Sequence, residues 1–504
     1  MSSLHILASS GISLFRVRKS ISLYSLLLSL PSSTASGKCK LRIIYYGNTT
    51  YHRGGAICIK GDKGTVNDCV FFNSSASYGG AIFIAHSSDD GWWTGYATVT
   101  DCSFVDCSAY SGVIFSGTSN VKNCNFTNCT GSGIACGGLN DDTIISDCVF
   151  TDCYDDDGDG GAINIVGGQI SDCNFTNCYV GPSSRDGVNW YGAGGAIYIY
   201  SHGGSISNCN FLHCFSYNDG GAIFIDSSGT VTNCSFINCY SNSYKIDTPY
   251  YHSTAHSVGG AIAICDDATI TDSIFIDCYA SSEGGAIYVG DDAEVSNCNF
   301  TNCNTTSWND DSTLGGAVAI CDYSEVTYCN FLNCFATAGG ALMITEGDIE
   351  YCNFLNCYAK GFNSAGGAIC RFGEYTDGDI IGCNFINCYA TGTNCSLGGA
   401  IFNSAIASTW DDSNCCIQSC NFVNCHADND GGAIYVINEK GEDFLHIGLN
   451  MLNLITLLLS PETPGIWHPI LFFWKGQTPY TSCDSLKFIN CTANSKGGAI
   501  CSES

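Results

Sequence analysis

Residues 284–303 read GGAIYVGDDAEVSNCNFTNC, and the two phrases inside this stretch recur along the chain. The first is Gly-Gly-Ala followed by Ile, Val or Leu. It begins at Gly54, Gly79, Gly160, Gly194, Gly220, Gly259, Gly284, Gly315, Gly339, Gly366, Gly398, Gly431 and Gly497. The second is Cys-x-Phe-x-x-Cys, complete from Cys102, Cys124, Cys148, Cys173, Cys209, Cys234, Cys298, Cys329, Cys352, Cys383 and Cys420. Within the quoted stretch, Ala286–Val289, Glu294–Ser296 and Cys298–Thr301 read as short strands separated by turn residues. A helix is excluded, because no 3.6-residue apolar period runs through the unit and a Gly-Gly pair inside a helix costs about 2 kcal/mol.

The spacing of the Phe residues sets the period. Phe104, Phe126, Phe150 and Phe175 lie 22, 24 and 25 residues apart, and the longer gap to Phe211 holds extra polar residues from Ser183 to Asn189. A short unit with optional insertions is a solenoid, which grows without adding cores. Leucine-rich repeats share the unit length, but their Leu-x-x-Leu-x-Leu signature is absent. The reading is all-β: a right-handed, single-stranded parallel β-helix of about fourteen turns.

Composition agrees. The 504 residues include 59 Gly and only 7 Pro, and 13% are charged, against roughly 25% in an average domain. A net charge of −29 with only 18 Lys and Arg excludes nucleic acid, whose phosphates need clustered cations. It also disfavours an anionic membrane surface. The partners it admits are neutral glycans, basic protein surfaces and divalent cations.

At the N-terminus, Arg16, Arg18 and Lys19 precede the apolar run Ile21 to Leu30 and the small residues Ser33 to Ser36. That is the order of a secretory signal over residues 1–36; an atypical capping turn is the structural alternative. Residues 37–440 hold the repeats. Residues 441–482 break them: the apolar run His446 to Leu459 is shorter than the roughly 20 residues of a membrane span. The segment reads as an inserted loop or a coding irregularity, and no membrane insertion is expected of the repeats. Residues 483–504 resume the pattern.

The alternation of GGA[ILV] with F-x-x-N phrases resembles the polymorphic outer-membrane protein repeats of chlamydiae. The NCNFTNC…GGAI wording is similar to the adhesin-like proteins of methanogenic archaea. The likeness covers Gly54 to Glu439 and Ser485 to Ile500. Cys129, Cys178 and Cys303 stand where the chlamydial phrase carries Asn, which here comes one place earlier at Asn128, Asn177 and Asn302; this favours the archaeal relatives. The resemblance implies an exported β-helix of pectate-lyase-like fold, extracellular or on the cell surface, that meets cell-surface glycans or proteins. No catalysis is expected. A polysaccharide lyase needs a positioned cationic base, whereas Arg53, Arg185 and Arg371 are scattered. An inverting hydrolase needs two carboxylates about 6.5–9.5 Å apart, and no turn breaks its repeat to build them. A polysaccharide-active enzyme and a purely structural envelope spacer are the alternatives.

In such a coil, equivalent residues stack about 4.8 Å apart. Phe126, Phe150, Phe175, Phe236, Phe300, Phe331, Phe354 and Phe385 are expected to form an internal ladder, flanked by Cys acting as small apolar residues. Asn123, Asn208, Asn233 and Asn297 are expected to form an inward amide ladder at one turn, with Gly-Gly at another corner. The cysteines admit three states: free buried thiols, bridges between turns, or zinc ligands. Two candidate sites stand out. Asp266, Asp267, Asp291 and Asp292 occupy one place in adjacent turns, where Ca2+ or solvated turn carboxylates fit; no cofactor besides Ca2+ is expected. The ring after the second Cys, at Tyr154, Tyr179, Phe215, Tyr240, Tyr279, Phe335, Tyr358 and Tyr389, is expected outside, where it stacks on sugars, the tyrosines foremost, or merely stiffens the coil.

Overall fold

The computed structural model describes residues 5–8, 41–87, 93–138, 142–156, 158–185, 188–242, 257–307, 313–373, 378–406, 414–439 and 480–503. These fall into two compact units, residues 1–217 with 222–227 and residues 218–221 with 228–504. The apolar run Ile21 to Leu30, the acidic pairs Asp89-Asp90, Asp310-Asp311 and Asp411-Asp412, and residues 441–479 lie outside the described residues. Within the stretch read as a signal, His5–Ala8 forms a strand antiparallel to Leu41–Tyr46.

Each unit is a right-handed parallel β-helix, the hand that parallel crossovers take. One turn of the second unit consists of Ile287–Val289, Ala293–Ser296, Asn299–Thr301 and Asn304–Thr305. A turn of the first unit repeats this plan with Ile163–Ile165, Gly168–Ser171, Asn174–Thr176 and Tyr179–Val180. The fourth, two-residue strand was not separable in the sequence. Register is like on like: Ile287 pairs with Val318, Val295 with Val326 and Phe300 with Phe331. The extra residues before Trp190 form an antiparallel hairpin, Pro182–Arg185 with Val188–Tyr191. Among the described residues no helix is long and apolar enough to cross a membrane.

Alternation along the strand, reset by the left-handed corner at Asn302, decides what goes inside. Phe300 is fully buried between Cys298 and Cys303, also buried, while Asn299 is exposed. Ring centroids along this column are 4.6–5.0 Å apart in the first unit and 4.8–5.0 Å apart in the second. Truncating such a ring to Ala would leave a cavity at a cost of about 3–5 kcal/mol.

The corners carry the unusual backbone. Gly284 has φ +58, and a Cβ there would lie 2.0 Å from the Ile287 carbonyl oxygen. A Cβ on Gly285 would lie 2.1 Å from the Gly316 oxygen of the next turn. The first glycine is required by its dihedral and the second by close approach of the stacked chain. The expected inward amide ladder is corrected here. Asn123, Asn208, Asn233 and Asn297 adopt φ 51–55 and their side chains are exposed. They occupy the left-handed corner just before an inward Cys, a conformation that Asn and Asp tolerate best among side-chain-bearing residues.

No disulfide joins the cysteines whose side chains are described. The Cys298 Sγ faces the Ser296 carbonyl at 3.3 Å and the Ile270 carbonyl of the neighbouring turn at 3.6 Å. Where Ser273 replaces the first Cys, its hydroxyl donates to the equivalent carbonyl, Thr271 O, at 2.8 Å. The position therefore asks for a small group with a weak donor. Burial holds the Cys278 and Cys334 thiols well above the usual thiol range, which leaves them protonated and poor as metal ligands.

Two acids enter the interior of the second unit. Asp219 and Glu283, each preceding a Gly-Gly, are buried two turns apart on either side of Val258, and the Val258 N–H donates to Asp219 Oδ1 at 3.0 Å. Burial pushes both carboxyls up to about 7, and the Asp219 charge adds to the rise at Glu283. The folded state then binds more protons than the unfolded chain between pH 4 and 7, so these groups make stability fall as pH rises through that window. Asp219→Asn with Glu283→Gln should flatten the decline and raise the melting temperature at pH 7.5. Melting curves from pH 4 to 8 check it; profiles parallel to wild type would contradict it.

Candidate functional site

A second left-handed corner follows the Phe strand, one residue before the second Cys. In the second unit this corner is Asn from Asn302 onward, with φ 53–56 at Asn302, Asn333, Asn356, Asn387 and Asn424. These amides, exposed except for the half-buried Asn356, form a continuous ladder. Asn333 Nδ2 donates to Asn302 Oδ1 at 3.1 Å, Asn356 to Asn333 at 3.1 Å, Asn387 to Asn356 at 3.0 Å and Asn424 to Asn387 at 3.1 Å. An amide has two N–H donors and two oxygen lone pairs. The ladder uses one of each, so each amide keeps a donor and an acceptor.

Two residues further along, past the inward Cys, stands the ring column. Phe335, Tyr358 and Tyr389 are half-buried and stack face to face at 5.0 Å, within 8° of parallel. The column runs from Asn304 to His426, whose Nε2 lies 3.1 Å from Asp428 Oδ1. Amides and rings together wall an open groove of about 850 Å3, with Asp277 at one end and no Lys or Arg among the described residues of its lining.

The structure separates the six tyrosines picked from the sequence. Tyr358 and Tyr389 line the groove. Tyr154 and Tyr179 stack at 5.0 Å in the first unit, where Asp152 takes the amide position and pairs with Asn177. Tyr240 and Tyr279 stack at 4.8 Å in the second unit, but Asn304 interrupts the column before Phe335. Phe335, in the same row of rings, lines the groove as well; His426 and the five amides were missed as a site, although a run of Asn one place before the second Cys is visible from Asn302 onward.

The scattered arginines are engaged elsewhere. Arg371 is fully buried, its guanidinium donating to the carbonyls of Gly347 and Gly378, both at 2.7 Å. Arg53 lies over the Trp93 ring at 4.7 Å. Arg185 has no described side chain.

Of the four paired aspartates, three come together. Asp267, Asp291 and Asp292 are exposed, with carboxylate oxygens within 4.8 Å of one another; Asp266 is not part of the group. Partial desolvation, then the charges of Asp291, Asp322 and Asp267, hold Asp292 above the ordinary carboxylate range. Asp322, one turn on, belongs to the same acidic stack and was not singled out in the sequence. Such oxygens suit Ca2+ better than Mg2+, which keeps its waters. Millimolar Ca2+ should raise the melting temperature by binding the folded state. Asp267→Asn with Asp292→Asn should remove that response and stabilise the protein in chelator. An unchanged melting temperature would leave these groups as solvated turns.

Among known proteins, the family model described as a right handed beta helix region matches residues 35–211. No curated protein and no solved structure matches the chain.

Proposed function

We propose that this chain is an exported, surface-displayed β-helix of the adhesin-like kind, and that the second unit holds neutral glycan chains in its amide–ring groove without cleaving them. The observation that carries this reading is the convergence of two ladders on one groove. Each turn from Asn333 to Asn424 offers an amide donor and acceptor beside a ring, and the offer repeats about every 4.8 Å. A polymer of hydroxyl-bearing rings has the matching chemistry: hydroxyls for the amides and C–H faces for the aromatic rings. The described lining, with amides, rings and Asp277 and no Lys or Arg, favours an uncharged glycan over a uronate. The committed guanidinium of Arg371, bonded to two backbone carbonyls, supports binding without lyase chemistry. Resemblance to adhesin-like proteins supports surface display.

A carbohydrate array read together with a product-release assay tests the reading. Neutral glycans should be retained and no product released. Tyr358→Ala with Tyr389→Ala should weaken retention at least tenfold, about 1.4 kcal/mol or more, as expected for anchoring aromatic contacts. Tyr154→Ala with Tyr179→Ala should leave it unchanged. Released product would make the protein an enzyme; silence in both assays would make it a spacer.

A further inference from the structure

The corner before the first Cys is small and polar in most turns, but two successive turns of the second unit place Tyr328 and Tyr351 there, at φ 55 and 54. A bulky side chain is rare in this conformation. The rings are 57% and 46% exposed, with centroids 5.2 Å apart and planes 15° from parallel. The next turn has Gly382, where a Cβ would lie 2.7 Å from the Tyr351 ring. Any side chain there would displace the ring, so the platform ends at two tyrosines.

Carboxylates border this platform. Glu325 stacks on Asp348 in adjacent turns, and Glu350 immediately precedes Tyr351. Desolvation, then the charges of Asp348 and Glu325, hold Glu350 above the ordinary carboxylate range. Asp348 accepts the Asp379 N–H at 2.7 Å; among the described residues neither Glu325 nor Glu350 has an ion-pair partner. On the other side run the amides of Asn330 and Asn353, bonded to each other at 2.9 Å.

We propose that Tyr328 and Tyr351, with Glu325, Asp348 and Glu350, dock a basic segment of a partner protein. An Arg or Lys side chain lies on the ring faces, its charge against the carboxylates, and the Asn330 and Asn353 amides meet the peptide backbone. Exposed aromatic faces attract cations, and a chain of net charge −29 draws basic partners to its surface. Peptides are favoured over glycans because the acidic border asks for a cation. This corner lies on the opposite side of the Phe strand from the glycan groove, so the inference stands independently of that one.

The test is calorimetric titration of the full chain with acetyl-Gly-Arg-Gly-Arg-Gly-amide, its citrulline counterpart and spermine. Tyr328→Asn with Tyr351→Asn restores the residue type usual at this corner, so its melting temperature should not fall. The Arg peptide should bind and the citrulline peptide should not. That double variant, and separately Glu325→Gln with Glu350→Gln, should each weaken binding about tenfold. Equal binding by the tyrosine variant would reduce the effect to diffuse attraction to an acidic surface and overturn the site. Equal binding of both peptides, or of neither, would overturn it too. Spermine binding as tightly as the peptide and lost in the same variants would replace the partner protein with a small polyamine.

Discussion

A parallel coil places each side chain on its own counterpart one turn away, about 4.8 Å distant, so every position must tolerate a copy of itself. Few side chains do this without cost. A Phe ring stacks on another Phe, as Phe300 does on Phe331 at 4.8 Å. An Asn amide donates to the oxygen of the next, as Asn387 does to Asn356 at 3.0 Å. A thiol sits beside another thiol while facing a backbone carbonyl, as Cys298 faces the carbonyl of Ile270. Charged groups of one sign do not stack cheaply, which accounts for a repeat rich in Asn, Ser and Thr and poor in Lys, Arg and Glu. The same constraint makes exceptions informative. The stack of Asp267, Asp291 and Asp292 and the Glu325–Asp348 pair place like charges in register, which most turns avoid.

The surface features follow from the interior. An inward Phe flanked by two inward Cys forces a left-handed corner on each side of the Phe strand. Asn at the second corner makes the amide ladder, and the residue beyond that Cys makes the ring column. The groove is therefore a consequence of how the core residues are spaced. The Tyr328–Tyr351 platform arises at the first corner by replacement of the usual residue in two turns. Gly-Gly serves the third corner, where neither the dihedral of Gly284 nor the approach of Gly285 to the next turn leaves room for a side chain.

Much of this was legible in residues 284–303. The alternation in CNFT places the first Cys and Phe on one face and Asn and Thr on the other, the turn residue Asn before the second Cys resets that alternation, and the Phe-to-Phe distance counts the turns. The Asn before the first Cys misled, because a turn residue next to an inward position was read as inward. Its left-handed φ turns the side chain out, and single-residue dihedrals are not written in the alternation pattern. The tyrosines after the second Cys were read as one long row, whereas Asn304 and the Asp residues of the first unit divide it into segments with different neighbours. Arg371 could not be placed from sequence, since its burial depends on the carbonyls of Gly347 and Gly378 converging from two turns. Asp322 was obscured because CDYS does not resemble GDDA until the turns are superposed.

The central claim is that the interior is a register-locked stack of Phe rings and unbridged thiols, held by packing and hydrogen bonds. Ser273 in the Cys column supports this, since a hydroxyl fills the place of a thiol with the same acceptor and leaves no room for a scheme in which every neighbour is bridged. The direct measurement is mass spectrometry of the unreduced chain, alkylated first in the folded state and then after denaturation. The account predicts that the cysteines of the Cys-x-Phe-x-x-Cys phrases are modified only after denaturation, each as a single thiol. Widespread peptides linked Cys to Cys, or rapid labelling of the folded chain at these positions, would contradict it.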